Sequence, residues 1–168
     1  MNLENLEYRL EDNVAWIVFS RPKFYNSINS QSITELHKIT NEISSNKKIR
    51  AVILTGSGEK AFCAGGDVSE FSTNLENLDK TVRPMASMMH VAISRLAWLD
   101  APVIAAVNGV AAGAGLSFVA CCDLAIAVDE STFTSAYTKI GLTPDGSSTY
   151  FLSRLIGRRR VMELYLTN

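Results

Sequence analysis

Pro102-Val103-Ile104-Ala105-Ala106-Val107-Asn108-Gly109, running on through Val110-Ala111-Ala112 to Gly113-Ala114-Gly115, is the stretch on which the fold turns. Five apolar residues after a proline, closed by Asn-Gly, read as a strand buried on both faces. The small-residue segment from Ala111 to Ala120 reads as a close-packed helix, and Leu124 to Val128 as a further strand. Asn108 and Asp123 interrupt the apolar run from Val103 to Val128, leaving less than the roughly 20 unbroken residues of a membrane span. The segment is therefore expected to supply buried elements of an α/β core.

The flanking sequence fits that architecture. Upstream, Ala51-Val52-Ile53-Leu54-Thr55, closed by Gly56 and Gly58, is a second doubly buried strand. Leu6 to Glu11 and Val14 to Ser20, joined at Asp12-Asn13, form a hairpin that Arg21-Pro22 ends. Ser32 with Glu35 three residues on makes a capping box for a helix carrying Ile33, Leu36, Ile39 and Ile43, ending near residues 44–48. A helix from about Pro84 to Leu99 is expected from the stripe Met85, Met88, Met89, Ala92, Ile93, Leu96 and Leu99. Ser72 to Lys80, polar and acidic, reads as a mobile surface loop. Alternating buried strands and helices predict one layered α/β domain over residues 1–168 with right-handed crossovers.

Composition narrows the function classes. With 47% hydrophobic and 20% charged residues and a formal net charge of -1, the chain has globular composition and no basic field for nucleic acid or an anionic membrane. Cys63, Cys121 and Cys122 are odd in number and lack C-x-x-C spacing, so neither a disulfide framework nor a zinc site is expected. The first residues, Met1-Asn2-Leu3-Glu4-Asn5, carry an acid where an export signal carries a base, which makes a cytoplasmic location the expectation.

Two glycine segments draw attention for chemistry. Gly65 and Gly66 precede a helix start at Asp67-Val68-Ser69-Glu70, and Gly113-Ala114-Gly115 opens another helix. Missing Cβ atoms let a ligand carbonyl approach the backbone, and N–H groups at helix starts favour an oxyanion. Tight turns and close helix packing are the plainer reading of either segment taken alone. A dinucleotide loop would need a third glycine where Phe118 stands, and Ser117 is not in G-x-S-x-G.

Taken in order, Arg21-Pro22 with Asn26 and Asn29, Ala61-Phe62-Cys63-Ala64-Gly65-Gly66-Asp67, and Pro102 to Gly115 resemble the crotonase (enoyl-CoA hydratase/isomerase) superfamily over nearly the whole chain. The resemblance implies an α/β fold with a ββα superhelical, or spiral, core. It assigns two oxyanion donors, the main-chain N–H groups of Gly66 and Ala114. It places Lys23, Ala64, Gly65 and Asp67 near a coenzyme A thioester, which is the substrate, with no separate cofactor and no metal. Relatives form trimers or dimers of trimers through a C-terminal helical region. This chain stops at Leu164-Tyr165-Leu166-Thr167-Asn168, so that region is expected to be absent or truncated, in a fragment or a naturally short member.

The proton-moving groups depart from the hydratase pattern. Ser117 and Tyr137 stand where hydratases of the family carry glutamates. Asp145, in Gly141-Leu142-Thr143-Pro144-Asp145-Gly146, falls on the place where family isomerases keep a single acid or base. One carboxylate suffices to move a proton from the α- to the γ-carbon, so the leading expectation is a β,γ to α,β double-bond shift, with hydration as runner-up. His90 with Asp145 also matches the aryl-CoA dehalogenase branch, although that branch has an aromatic residue at the place of Gly66 and a Trp at that of Tyr137. A non-catalytic CoA-binding subunit is a further alternative. Read from the residues alone, Asp145 in Pro-Asp-Gly is equally a turn residue or a helix cap, His90 a packed side chain, Tyr137 ordinary core packing that could also bond Asp145, and Lys23 a solvated lysine.

Overall fold

The computed structural model describes residues 1–73 and 75–168. The hairpin forms where the turn pair places it: β1 (Leu6–Glu11) pairs antiparallel with β2 (Val14–Phe19), and Asp12 and Asn13 sit at φ 49° and 65°, the left-handed conformation that tight hairpins require. β3 (Ala51–Gly56), β5 (Val103–Val107) and β7 (Leu124–Ala127) then add in parallel, giving the five-stranded order β1-β2-β3-β5-β7. Three short strands, β4 (Ala61–Cys63), β6 (Val110–Ala112) and β8 (Phe133–Thr134), build a second parallel sheet in the order β4-β6-β8.

Helix α1 (Ser30–Ser45) packs on β1 and β2 of the larger sheet and against α3 (Leu78–Ala97), and α4 (Ala114–Cys121) touches both sheets. Ile33, Leu36, Ile39 and Ile43 of α1 and Met85, Met89, Ala92, Ile93 and Leu96 of α3 are all buried. Each large side chain so buried contributes about 1.5–3 kcal/mol. Phe118 of α4 and Phe62 of β4 close on Phe19, with ring centroids 5.4 and 5.6 Å away. The short helix α2 (Val68–Ser72) follows the first glycine segment, and α5 (Ser148–Leu155) and α6 (Gly157–Thr167) end the chain.

Several expectations change. Asn29, not Ser32, caps α1, its side chain accepting from the Ser32 N–H at 2.8 Å. Glu35 forms no capping box. Fully buried, it accepts the N–H groups of Glu4, Asn5 and Leu6 at 2.8, 3.0 and 2.9 Å and tethers the start of β1 to α1. Burial alone would raise its carboxyl, but those donors and Gln31 outweigh it and hold the pKa below the ordinary 4.5.

Helix α3 begins at Leu78, six residues ahead of the expected start, and carries Pro84 on an exposed face inside it. A helix-interior proline removes one hydrogen bond, and the buried methionine and isoleucine stripe keeps the helix continuous. The expected loop from Ser72 to Lys80 is thus largely helical, with a 3-10 turn at Leu75–Asn77; position 74 lies outside the described residues. Residues 111–112, expected in a helix, pair together with Val110 as β6, because Gly113 at φ 52° breaks the chain direction before α4. Strand β7 is not buried: it lies at the sheet edge, with Leu124 and Ile126 60% and 70% exposed.

Candidate active site

The site is built where β4 and β6 end. After Cys63 the chain leaves the sheet and makes one bridge: the Ile28 N–H donates to the Gly65 carbonyl at 2.8 Å and the Asp67 N–H to the Ile28 carbonyl at 2.9 Å. Residues 65 and 67 therefore turn their polar groups toward Ile28, and alternation along an extended chain turns the Gly66 N–H the other way. The Gly65 N–H faces the Cys63 thiol, which burial pushes up to about 12, so this cysteine stays protonated. Across from them, Ala114 opens α4, and its N–H is among the four donors a helix leaves without an internal partner.

Close approach of the two segments depends on Gly65. A Cβ there would lie 3.0 Å from the Ala112 carbonyl and 3.5 Å from the Ala114 nitrogen, and its φ of +100° favours glycine independently. Gly115 has no room at all, since its Cβ would meet the Cys63 carbonyl at 1.9 Å. Here glycine serves packing, as the plainer reading allowed. The consequence is that Gly66 and Ala114 line one cavity of about 660 Å3, which Ala64 and Gly65 also line.

Buried and half-buried polar clamps brace the chain around this wall. Arg21 donates to the Ser27 carbonyl at 2.7 Å and pairs with Asp67 at 2.8 Å. The Asn26 amide donates to the carbonyls of Ser57 and Ala61 at 2.9 and 2.7 Å, and the Asn108 amide to those of Gly56 and Gly58 at 2.9 and 2.7 Å. Asp67 also caps α2, accepting from Ser69. Burial would raise its carboxyl, yet the Ser69 and Arg21 donors and the Arg21 charge keep it below 3.8. Asp67 is thus committed to the scaffold, and it does not line the cavity.

The opposite wall carries side chains. Asp145 lines the cavity, and one of its carboxylate oxygens lies 2.5 Å from Nε2 of His90, which projects from α3. Asp145 caps no helix with its carboxylate; instead its main-chain carbonyl accepts from the Ser148 N–H at 3.1 Å and the Ser117 hydroxyl at 2.9 Å. Tyr137 lines the cavity too, with its hydroxyl 3.3 Å from Ser117 Oγ rather than on Asp145. Burial, with the Asp145 charge adding to it, holds the phenol above its ordinary range, so Tyr137 stays neutral at physiological pH. The rest of the lining is mainly apolar, including Phe71, Val82, Met85 and Met89, with Arg83 the one cation among the described lining residues.

Gly66, Ala114 and Asp145 thus line one mainly apolar cavity, with His90 joined to it through the Asp145 carboxylate. The family model described as Enoyl-CoA hydratase/isomerase matches residues 9–168. The chain belongs to the enoyl-CoA hydratase/isomerase family. It is 37% identical to 4-chlorobenzoyl coenzyme A dehalogenase-2 of an Arthrobacter species, covering 94% of this chain and 57% of that protein. It is 36% identical to short-chain-enoyl-CoA hydratase of Clostridium acetobutylicum, covering 99% and 63%. The crystal structure of an enoyl-CoA hydratase from Bacillus anthracis superposes with a TM-score of 0.90 at 35% identity, covering 98% of this chain and 63% of that one. The fold is thus the crotonase α/β fold, and the chain spans about three-fifths of the length of these relatives.

Of the residues singled out in the sequence, Gly66, Ala114, Ala64, Gly65, Tyr137 and Asp145 meet at the cavity, and His90 reaches it through Asp145. Lys23 is exposed in a short 3-10 turn at Pro22–Phe24, away from the cavity lining. Sequence reading passed over the Arg21–Asp67 pair, the place of Ser117 between Tyr137 and Asp145, and Arg83. Arg83 left a signal there, since it flanks the methionine stripe of α3 by two residues, and Ser117 left one in standing where hydratases of the family carry a glutamate. Among the described residues no cluster of three His, Cys, Asp or Glu is placed to hold a metal ion, and no helix is long and apolar enough to cross a membrane.

Proposed function

We propose that this chain forms the core of an acyl-CoA enzyme that stabilises a thioester enolate, and that its reaction is the β,γ to α,β shift of an enoyl-CoA double bond. The observation carrying this reading is that Asp145 is the one carboxylate on the cavity wall among the described residues. Asp145 takes a proton from the α-carbon, the electrons pass through the dienolate, and the same carboxyl returns the proton at the γ-carbon. The thioester oxygen gains negative charge meanwhile, and in this reading the Gly66 and Ala114 N–H groups receive it, each worth roughly 3–4 kcal/mol in a typical oxyanion hole. His90 donates to Asp145 and holds it in place. Hydration is less well supported, because Ser117 and Tyr137 offer no second carboxyl to activate water.

A second reading rests on the His90 contact itself. In aryl-CoA dehalogenation a carboxylate attacks the carbon bearing the halogen, halide leaves, and a neighbouring imidazole deprotonates the water that cleaves the resulting aryl ester. One experiment separates the two. The protein is incubated with a β,γ-enoyl-CoA, read by the absorbance of the conjugated thioester, and with 4-chlorobenzoyl-CoA, read by chloride release. Isomerisation that Asp145→Asn abolishes supports the first reading; chloride release without isomerisation replaces it with the second, and turnover of neither removes both.

A further inference from the structure

Ser117 is fully buried on α4, and three oxygens surround its hydroxyl: the Asp145 carbonyl at 2.9 Å, the Gly113 carbonyl at 3.2 Å and the Tyr137 hydroxyl at 3.3 Å. The two carbonyls can only accept, and a serine has one proton to give. The Asp145 carbonyl is the nearer, so that proton goes there. The Tyr137 contact is then a hydrogen bond only if the phenol donates to Ser117 Oγ, which a phenol held neutral by burial can do. The order is Tyr137 O–H to Ser117 Oγ, then Ser117 O–H to the Asp145 carbonyl.

The backbone of the Asp145 loop fits this link closely. Gly146, at φ +59°, lies so near that a Cβ there would sit 2.7 Å from Ser117 Cβ and 2.9 Å from its Oγ. The next residue, Ser147, is also left-handed at φ 56°. Two successive residues in this conformation turn the chain sharply after Asp145, and the Ser117 hydroxyl bonds the carbonyl at the start of that turn.

We infer that Ser117 is a positioning residue for the reaction: its hydroxyl fixes the main chain of Asp145, and so the aim of the carboxylate, while drawing the Tyr137 proton away from the cavity. Tyr137 then presents lone pairs to the substrate and is not a third oxyanion donor. This rests on the reading of Asp145 as the proton carrier.

The test uses Ser117→Ala, Tyr137→Phe and Asp145→Asn with a β,γ-enoyl-CoA. Ser117→Ala should lower kcat roughly tenfold with KM within about twofold, the pattern of a lost aim rather than lost binding. Tyr137→Phe leaves the Ser117 bond to Asp145 in place and should lower kcat by no more than about threefold. Gly146→Ala disturbs the same contact from the other side and should reproduce the Ser117→Ala pattern if that variant folds poorly. Unchanged kcat in both Ser117→Ala and Gly146→Ala, with Asp145→Asn inactive, overturns the positioning role and leaves the proposed function standing. A larger loss in Tyr137→Phe than in Ser117→Ala overturns the assigned proton direction. Amide hydrogen exchange over residues 141–148 requires no turnover: faster exchange there in Ser117→Ala, with β5 unaffected, is expected, and unchanged exchange overturns the proposal even if the isomerase reading has failed.

Discussion

The two walls of the cavity are built differently. The Gly66 and Ala114 wall is main chain, braced by Arg21, Asn26, Asp67 and Asn108 through bonds that are mostly part-buried. The facing wall holds side chains, and there the Asp145 and His90 side chains remain 35% and 47% exposed. A main-chain donor survives nearly every substitution of its own side chain, whereas a carboxylate or imidazole is lost with a single replacement. The first wall is therefore the harder to change by single substitution, and the second the easier.

The hardest blow to this contrast is to remove a donor from the rigid wall. Ala114→Pro deletes the N–H at the first position of α4, where proline is well tolerated, so turnover should fall about 100- to 1,000-fold while the melting temperature moves little. A mild loss would mean that the main-chain wall does not bear the developing charge. Next in size is the scaffold itself. Arg21→Ala leaves Asp67, 6% exposed, without its cation and should destabilise the fold by about 3–5 kcal/mol in urea unfolding.

The same buried carboxylates set the acid limit. Asp67 and Glu35 are held below their ordinary values of 3.8 and 4.5, so near those values the folded chain binds fewer protons than the unfolded one. Their stabilisation is present above that window and is lost as pH falls through the lower folded-state values. Melting temperature should drop between pH 5 and pH 3, on the order of this window, and Glu35→Gln should flatten part of the drop.

On the side-chain wall the effects are smaller and more diagnostic. His90→Gln keeps a donor near Asp145 and should cost the isomerisation roughly tenfold or less. If the chemistry is instead dehalogenation, the same variant should trap an aryl ester on Asp145, visible as added mass in the intact protein. The smallest change is expected outside both walls: Lys23→Ala, exposed on its turn, should leave the melting temperature unchanged and raise KM for a CoA thioester only about twofold to threefold, as suits a solvated phosphate contact.

Much of the frame was legible in advance because it rests on local rules. The Asp12-Asn13 hairpin, the apolar runs of β3 and β5, and the methionine and isoleucine stripe of α3 all follow from periodicity and turn chemistry, and each formed. Where reading went astray, a long-range contact had taken over. Glu35 looked like half of a capping box, but the unpaired N–H groups of residues 4–6 claimed it. β7 looked like a core strand by composition, yet its place at the sheet edge, which composition does not encode, leaves it exposed.

The sequence by itself determined the two glycine segments, the carboxylate at 145 and the absence of a second acid at 117 or 137, because residue identity alone fixes which groups can donate, accept or bend. Only the tertiary structure decided that His90 meets Asp145 across 55 residues, that Ser117 links Tyr137 to the Asp145 backbone, and that Asp67 serves Arg21 instead of the cavity. Such pairings depend on how sheets and helices stack, and stacking is fixed by the whole buried core at once rather than by any stretch of the chain.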